Sequence, residues 1–232
     1  MELAFEVCKL TEKIYGPGKV ALHRPVFSDL ETLYLTDCIK SNFVSSVGKY
    51  VSDFENIFAE YCNSEKAVAC VNGTAALHAA LVVNDVYAGS QVLTQALTFV
   101  ATANAIAYCG AEPIFIDVDL DTLGMSPRSL RAWLNKYAKI GPNGVINKRN
   151  GKKISACVPM HTFGIPCRVK EILEICSDYG IPLIEDAAES LGSSIDGKHV
   201  GNFGVTGVFS FNGNKVITTG GGGMIITNVT EI

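Results

Sequence analysis

One lysine in this chain has the surroundings expected of a covalent catalyst. Lys215 follows the run Ser-Phe-Asn-Gly-Asn at 210–214 and precedes a four-glycine tract at 220–223. A lysine between a hydrophobic strand and a glycine tract is poorly placed for simple solvation, and its amine can form an imine with an aldehyde cofactor. Taken alone, Lys215 is also compatible with an ordinary lysine in a loop, and the glycine tract with a tight turn that binds no ligand.

An aldehyde cofactor such as pyridoxal phosphate also needs a phosphate site, a stacking face and a partner for its ring nitrogen. The segment 72–81 follows an apolar run and has the alanine and leucine content of a helix. Gly73, Thr74 and Ala75 are therefore predicted at a helix N-terminus, where free N–H groups and the helix dipole suit phosphate. The Ser210 hydroxyl is predicted to join this site.

Two further residues meet the remaining demands of such a cofactor. Asp186 ends the apolar run that begins at 181, and a carboxylate there would hold a proton on the ring nitrogen. Phe99 would supply the flat stacking face. Each residue alone has a plainer structural interpretation, as a helix cap or core material. Their conjunction favours the cofactor site, because the ends of parallel strands meet at one edge of a sheet where ligands bind.

Apolar segments alternate between strand and helix patterns, which is typical of an α/β sheet with crossover helices. The polar stretch 141–153 is predicted to be a surface loop or excursion. Strands are predicted near 67–71, 91–94, 113–118, 154–159, 183–186, 207–211 and 223–227. Helices are predicted near 29–41, 51–61, 75–83, 101–109, 126–137 and 169–179.

The composition is that of a metabolic enzyme with one large core: 48% of residues are hydrophobic and 18% are charged. A net charge of -4 provides no basic field for nucleic acid. The eight cysteines are scattered without a C-x-x-C pair, which favours reduced thiols, and no metal site is expected. No secretory leader or 18-residue apolar run is evident, so no membrane partner is expected and the cytoplasm is the predicted location.

The residues of the predicted cofactor site, taken together, carry a resemblance to a known family. With them the chain resembles the DegT/DnrJ/EryC1/StrS sugar aminotransferases, which are fold type I pyridoxal phosphate enzymes. The resemblance runs from about Leu22 to the last residues. Within the family the likeness is closest to enzymes that aminate the 4-keto carbon of UDP-linked 2-acetamido-4-keto-6-deoxy sugars, on routes to bacillosamine and legionaminic acid. Four segments indicate that branch: 43–51, 71–78, 95–102 and 185–192.

The resemblance implies a three-layer α/β/α domain with a mostly parallel seven-stranded sheet. It makes residues 26–232 the cofactor-binding large domain, after an N-terminal segment at 1–25. Catalytic roles fall on Lys215 as the imine-forming amine and Asp186 as the nitrogen partner. Glu189 would face the phenolic oxygen of the cofactor, where many relatives have glutamine or histidine. The full set implied to bind pyridoxal 5'-phosphate is Gly73, Thr74, Ala75, Phe99, Asp186, Glu189, Ser210 and Lys215.

The implied reaction transfers an amino group from an amino acid, expected to be L-glutamate, to the keto carbon of a nucleotide-linked 4-keto-6-deoxy sugar. His23, Arg24 and Lys49 are candidate cations for the nucleotide-sugar, although exposed cations also occur as solvated surface. His161 matches a strand-end motif near the site, and a structural role fits it equally. The intact protein is expected to be a homodimer.

Two alternatives remain open at this point. Sugar dehydratases of the family replace the lysine by histidine, so Lys215 favours amino transfer. Relatives continue into a smaller C-terminal domain, whereas this sequence stops 17 residues after Lys215. The expectation is therefore a truncated chain that lacks the small domain, and the alternative function is an inactive cofactor-binding fragment or one subunit of a split enzyme.

Overall fold

The computed structural model describes residues 2–21 and 23–229. Leu22 and residues 230–232, near which the resemblance begins and ends, lie outside the described residues. The helices are α1 (Glu2–Tyr15), α2 (Asp29–Ser41), α3 (Lys49–Cys62), α4 (Gly73–Val83), α5 (Val100–Tyr108), α6 (Pro127–Tyr137) and α7 (Val169–Tyr179). The strands are β1 (Lys66–Cys70), β2 (Gln91–Gln95), β3 (Glu112–Ile116), β4 (Ala138–Gly141), β5 (Gly144–Asn147), β6 (Ile154–Val158), β7 (Ile184–Asp186), β8 (Ser194–Ile195), β9 (Lys198–His199), β10 (Thr206–Ser210) and β11 (Gly223–Thr227).

Seven of these strands lie side by side in the order β3-β2-β6-β7-β10-β11-β1. Parallel bridges from Cys157 to Leu183 and from Met160 to Asp186 join the β6 and β7 edges of two ladders into this one array. All neighbouring pairs are parallel except those of β11, which runs antiparallel to both β10 and β1. The predicted mostly parallel, seven-stranded sheet is confirmed.

Helices cover both faces of the sheet, because side chains of alternating strand residues enter different cores. On β2, Val92 packs with α4 and α5, whereas the next residue, Leu93, packs with α6 and α7. On β10, Val208 joins the α4–α5 side and Phe209 packs against Phe58 of α3. Strands buried on both faces are characteristic of parallel sheets with crossover helices. The predicted three-layer α/β/α arrangement is confirmed.

The predicted helices and strands of the sheet lie within a few residues of the observed ones. The 126–137 helix has the expected start, since the Ser126 hydroxyl accepts from the Ser129 N–H at 3.4 Å and Pro127 occupies the first turn. The C-terminal end of α7 is also marked in the sequence, because Gly180 adopts a left-handed φ of 66° and ends this helix.

The prediction of a surface loop or excursion at 141–153 did not identify the secondary structure of its first part. The strands β4 and β5 form an antiparallel hairpin whose two-residue turn is Pro142-Asn143. Val145 of this hairpin is buried in the core, and the side-chain amide of Asn147 donates to Gln91 at 3.0 Å. Polar composition concealed this pairing. Helix α1 was also not predicted from the sequence.

Gly207 of β10 supplies a test of the packing beneath the site. A Cβ at this position would overlap the backbone of Gly201, including its carbonyl oxygen. Gly207→Ala is expected to lower the free energy of unfolding by about 1–3 kcal/mol, the usual cost of overpacking. Urea denaturation measures this change. Gly213→Ala is the matched control because its Cβ would meet nothing within 4 Å, and equal losses in both variants would contradict the packing explanation.

Candidate active site

A cavity of about 280 Å³ lies at the carboxyl edge of the sheet. It collects residues that follow β1, β2, β6, β7 and β10, which are far apart in sequence. Seven of the eight predicted cofactor residues line it: Gly73, Thr74, Phe99, Asp186, Glu189, Ser210 and Lys215. The structure thus brings together the residues that sequence order had suggested, at the edge where ligands bind in sheets of this kind.

The N-terminus of α4 forms one wall of the cavity, with Ser210 beside it. The side chain of Asn72 caps the helix and accepts from the Ala75 N–H at 2.8 Å. The Ala75 amide is therefore committed to the cap, and Ala75 lies outside the cavity lining. A Cβ on Gly73 would lie 2.8 Å from the Ser210 Cβ, so only glycine permits this close approach. The result is a concave anion site made of helix amides and a hydroxyl.

Asp186 ends β7 and is 4% exposed. Its Oδ2 accepts from the Thr102 hydroxyl at 2.7 Å, and its Oδ1 accepts from the Ala188 N–H at 3.2 Å. Burial raises the pKa of Asp186 above its ordinary value, against the opposing effects of Thr102, the Ala188 amide and Lys215. A desolvated carboxylate of this kind gains most from a cationic N–H partner.

Lys215 reaches into the cavity from the loop after β10, and its side chain is only 12% exposed. Its Nζ lies 3.1 Å from Oε1 of Glu189. The other oxygen of Glu189 accepts from the Phe163 N–H at 3.0 Å. Phe163 has a left-handed φ of 55°, a strained conformation for an aromatic residue. This backbone geometry fixes the carboxylate that holds the amine.

Phe99 immediately precedes α5, and its ring is 64% exposed at the cavity mouth. The Nζ of Lys215 lies 6.0 Å from the centre of this ring. A flat ligand that contacts Lys215 would therefore lie against the face of Phe99. An exposed aromatic ring at this position is costly surface unless something stacks on it.

His161 lies behind the site rather than in its lining. Its ring is fully buried, with Nε2 3.0 Å from Glu185 and Nδ1 accepting from the Cys167 N–H. An N–H that donates to Nδ1 requires a lone pair there, so the ring is the Nε2–H tautomer and donates to Glu185. Glu185 also accepts from the amides of Gly201 and Gly204. This network supports the end of β7, in agreement with the structural interpretation of His161.

A second recess of about 320 Å³ meets the first at Lys215. His23 and Arg24 line it, together with Gly213 and residues 215–218 of the lysine loop. Lys49, the third predicted cation, lies in a different, largely apolar groove between α2 and α3. The structure therefore brings two of the three predicted cations beside Lys215 and separates the third.

The cavity fits pyridoxal phosphate on several independent features. The helix N-terminus with Ser210 suits a phosphate, Phe99 offers a stacking face, and Asp186 is a buried carboxylate in need of a cationic partner. Lys215 is held inside the same space rather than in solvent. A volume near 300 Å³ suits a small, flat ligand.

The comparison with protein families gives the same result. Residues 27–232 match the family model for the DegT/DnrJ/EryC1/StrS aminotransferase family. The chain belongs to this family. The predicted family is thereby confirmed, and the predicted enzyme class and pyridoxal phosphate cofactor are those of this family.

Curated relatives within the family include sugar-modifying enzymes. The chain is 43% identical over 210 residues to EpsN of Bacillus subtilis, named as a pyridoxal phosphate-dependent aminotransferase; the match covers 90% of this chain and 52% of EpsN. It is 38% identical to the GDP-perosamine synthase of Caulobacter vibrioides, covering 92% of this chain and 53% of that enzyme. The chain spans about half the length of the curated relatives it matches.

Solved structures share the fold over nearly all of this chain. An aminotransferase from Psychrobacter cryohalolentis superposes with a TM-score of 0.79 at 33% identity, covering 93% of this chain and 50% of that one. DesI, solved with its TDP-sugar product, superposes with a TM-score of 0.76 at 28% identity, covering 93% and 52%. The predicted fold type I architecture is confirmed.

Several residues of the site were not predicted from the sequence. Thr102 binds Asp186, Phe163 fixes Glu189, and Asn72 caps the helix beside the anion site. Asn72 carried a readable signal, since asparagine before Gly-Thr is a strong N-cap. Thr102 lies inside a helix and Phe163 on a 3₁₀ turn, and only the folded backbone brings either to its carboxylate.

The burial of Asp186 predicts a stability change that depends on pH. Because its pKa is raised in the folded protein, the native state holds the proton longer than the unfolded chain, and stability falls as pH rises from the ordinary carboxyl pKa through the raised one. Asp186→Asn should therefore raise the Tm of cofactor-free protein at neutral pH, with little change near pH 3. Thermal unfolding across pH measures this. Asp178→Asn, at an exposed ion pair, is the control and should change little; a lower Tm for Asp186→Asn at pH 7 would contradict the assignment.

Proposed function

We propose that the protein carrying this chain is a pyridoxal phosphate-dependent aminotransferase. It would move an amino group from an amino acid, expected to be L-glutamate, to the keto carbon of a nucleotide-linked 4-keto-6-deoxy sugar. The observation that carries the proposal is the sheltered Lys215 amine, 3.1 Å from Glu189 and in the same cavity as Asp186. The sugar-modifying relatives support the choice of acceptor, because one is named a GDP-perosamine synthase and DesI was solved with its TDP-sugar product.

Pyridoxal phosphate, when bound, supplies an electrophilic aldehyde and a ring that accepts electrons. Asp186 would hold the proton on the ring nitrogen, and Thr102 and the Ala188 amide keep that carboxylate aimed into the cavity. The α4 amides and Ser210 would hold the phosphate. Phe99 would cover one face of the ring and limit access of water to it.

The Lys215 amine would act first as the anchor and then as the proton carrier at the carbon that bears the transferred amine. Glu189 lies within hydrogen-bond reach of that amine and is itself fixed by the Phe163 N–H. A carboxylate in this position can take a proton from Nζ and return it. The chain thus provides both the acid–base group and a partner that orients it.

We place the anionic part of the nucleotide-sugar in the recess that His23 and Arg24 line. This recess shares Lys215 with the cofactor cavity, so a diphosphate beside Arg24 would direct the attached sugar toward the amine. Arginine pairs with phosphate through two parallel N–H bonds, which gives direction as well as affinity. Lys49 lies in another groove and is not part of this proposal.

The remaining expectations concern the whole protein. We propose a homodimer, with residues 26–232 as the cofactor-binding large domain, acting in the cytoplasm. Within the described residues, no helix is both long and apolar enough to cross a bilayer. The competing function is a cofactor-binding module without turnover, and it is distinguished from the enzyme by the experiment on Lys215.

Borohydride fixation tests the role of Lys215 directly. Pyridoxal phosphate added to the protein, followed by borohydride, should leave a stable adduct on the peptide that contains Lys215, as measured by mass spectrometry. Lys215→Ala should lose the adduct, whereas Lys148→Ala, at an exposed lysine, should retain it. Adduct formation without amino transfer from glutamate would select the binding module, and an adduct elsewhere with none on Lys215 would remove the proposal.

Arg24→Ala tests the acceptor recess separately from the cofactor cavity. Loss of a charge-assisted hydrogen bond, worth about 1.5–3 kcal/mol, should raise the KM for a nucleotide-linked keto sugar roughly 10- to 100-fold. The KM for glutamate and the borohydride adduct on Lys215 should stay unchanged. Steady-state kinetics of the whole protein measures both values. Lys49→Ala is the matched control, and an equal effect in that variant would contradict the placement of the diphosphate.

A further inference from the structure

Helix α1 carries an apolar stripe on a surface that faces solvent. Thr11 is half-buried and the other residues from Glu2 to Tyr15 are exposed. The stripe consists of Leu3, Val7, Leu10 and Ile14, which are 79%, 55%, 57% and 61% exposed. A helix of this kind gains most of its stability by packing its apolar face against a partner. The family match begins at residue 27, so α1 precedes the part of the chain that the family model covers.

The spacing of the stripe is that of a two-stranded coiled coil. Steps of four, three and four residues separate its members, which is the alternation of d and a positions in a heptad repeat. The two a positions hold the β-branched Val7 and Ile14, and the two d positions hold Leu3 and Leu10. This distribution favours two helices over three or four.

The charges beside the stripe select the orientation of the pair. Glu6 and Lys13 occupy the two g positions, next to the apolar seam. In an antiparallel pair, Leu3 packs on the partner's Ile14 and Val7 on the partner's Leu10, so all four stripe residues are covered. The same register puts Glu6 within about 3 Å, along the axis, of the partner's Lys13. Because the pair is two-fold symmetric, the Glu6–Lys13 contact occurs twice. A parallel pair would instead place Glu6 opposite Thr11 of the partner.

We propose that α1 pairs with α1 of a second copy of this chain as a short antiparallel coiled coil. The two helix dipoles oppose each other in this arrangement, which also favours it. Two heptads make a weak contact alone, so the pair adds to other contacts between copies rather than replacing them. The proposal rests on α1 and stands independently of the proposed function.

A membrane surface is a less suitable partner for this helix. Helices that lie in the membrane interface are rich in lysine and arginine on the polar face. The polar face of α1 instead holds Glu2, Glu6 and Glu12 against Lys9 and Lys13, a net charge of -1. A like-charged or neutral lipid surface gives such a face no attraction, whereas a second α1 in the antiparallel register brings Glu6 close to the partner's Lys13 on both sides of the seam.

Zero-length crosslinking of mixed isotopes tests the pairing in the whole protein. Light and ¹⁵N-labelled chains are mixed under conditions of subunit exchange and treated with a carbodiimide, which joins a carboxylate to an amine in direct contact. The expected product is a Glu6–Lys13 crosslinked peptide in which about half of the molecules carry one light and one heavy partner, the statistical share for contacts between chains. Mass spectrometry of the digest identifies it.

Substitutions in α1 distinguish the antiparallel α1–α1 pair from other contacts of this helix. Glu6→Lys should abolish the crosslink, and the swap Glu6→Lys with Lys13→Glu should restore it, because the two charges exchange places. Leu10→Asp should lower the yield at least tenfold, which corresponds to about 1.4 kcal/mol for a charge in the seam, while the Tm of the large domain stays unchanged. Glu12→Lys is the control, since it lies outside the seam and should keep the yield.

Four outcomes would overturn the proposal. The first is a Glu6–Lys13 product made only of like isotopes, which would be a contact within one chain. The second is a crosslink from Glu6 to a lysine outside α1, which would mean that the stripe docks on another surface. The third is an unchanged yield in Leu10→Asp. The fourth is cosedimentation of the protein with anionic vesicles that Leu10→Asp abolishes.

Discussion

The whole site depends on the convergence of parallel strands at one edge of the sheet. Strands β1, β2, β7 and β10 deliver their following residues to the same place, so Gly73, Phe99, Asp186 and Lys215 meet although they span more than half of the sequence. The approach is close enough that a single Cβ on Gly73 would collide with Ser210. Convergence therefore requires small residues and buried partners at the strand ends, and these are what the chain provides.

Two carboxylates at the end of β7 show how neighbouring residues acquire opposite roles. Glu185 and Asp186 point to opposite faces of the sheet because side chains alternate along a strand. Glu185 is satisfied by backbone amides and His161, and it fixes the structure behind the site. Asp186 keeps fewer partners and faces the cavity. Glu185 therefore has a structural role, whereas the Asp186 carboxylate can still accept a hydrogen bond from a ligand.

Much of this arrangement could be predicted from the sequence, and the exceptions have two physical causes. Apolar runs, the Ser126-Pro127 start and the glycine tract are local signals, so the sheet, the helices and most of the cavity residues followed from them. The hairpin of β4 and β5 was missed because its polar composition hides three buried residues, Ala138, Val145 and Asn147. The contacts of Thr102 and Phe163 depend on distances between elements, which no local pattern contains. The commitment of the Ala75 amide to Asn72 likewise depends on side-chain geometry.

The desolvated carboxylate at residue 186 has a consequence for the life of the protein in a cell. Burial opposes the ionisation of this carboxylate in the cofactor-free protein. A ligand that binds only the folded form stabilises that form in proportion to the logarithm of the ligand concentration. Newly made chains would then be more exposed to proteases when vitamin B6 is scarce. The steady-state abundance of the protein would follow the supply of the vitamin without any dedicated regulator.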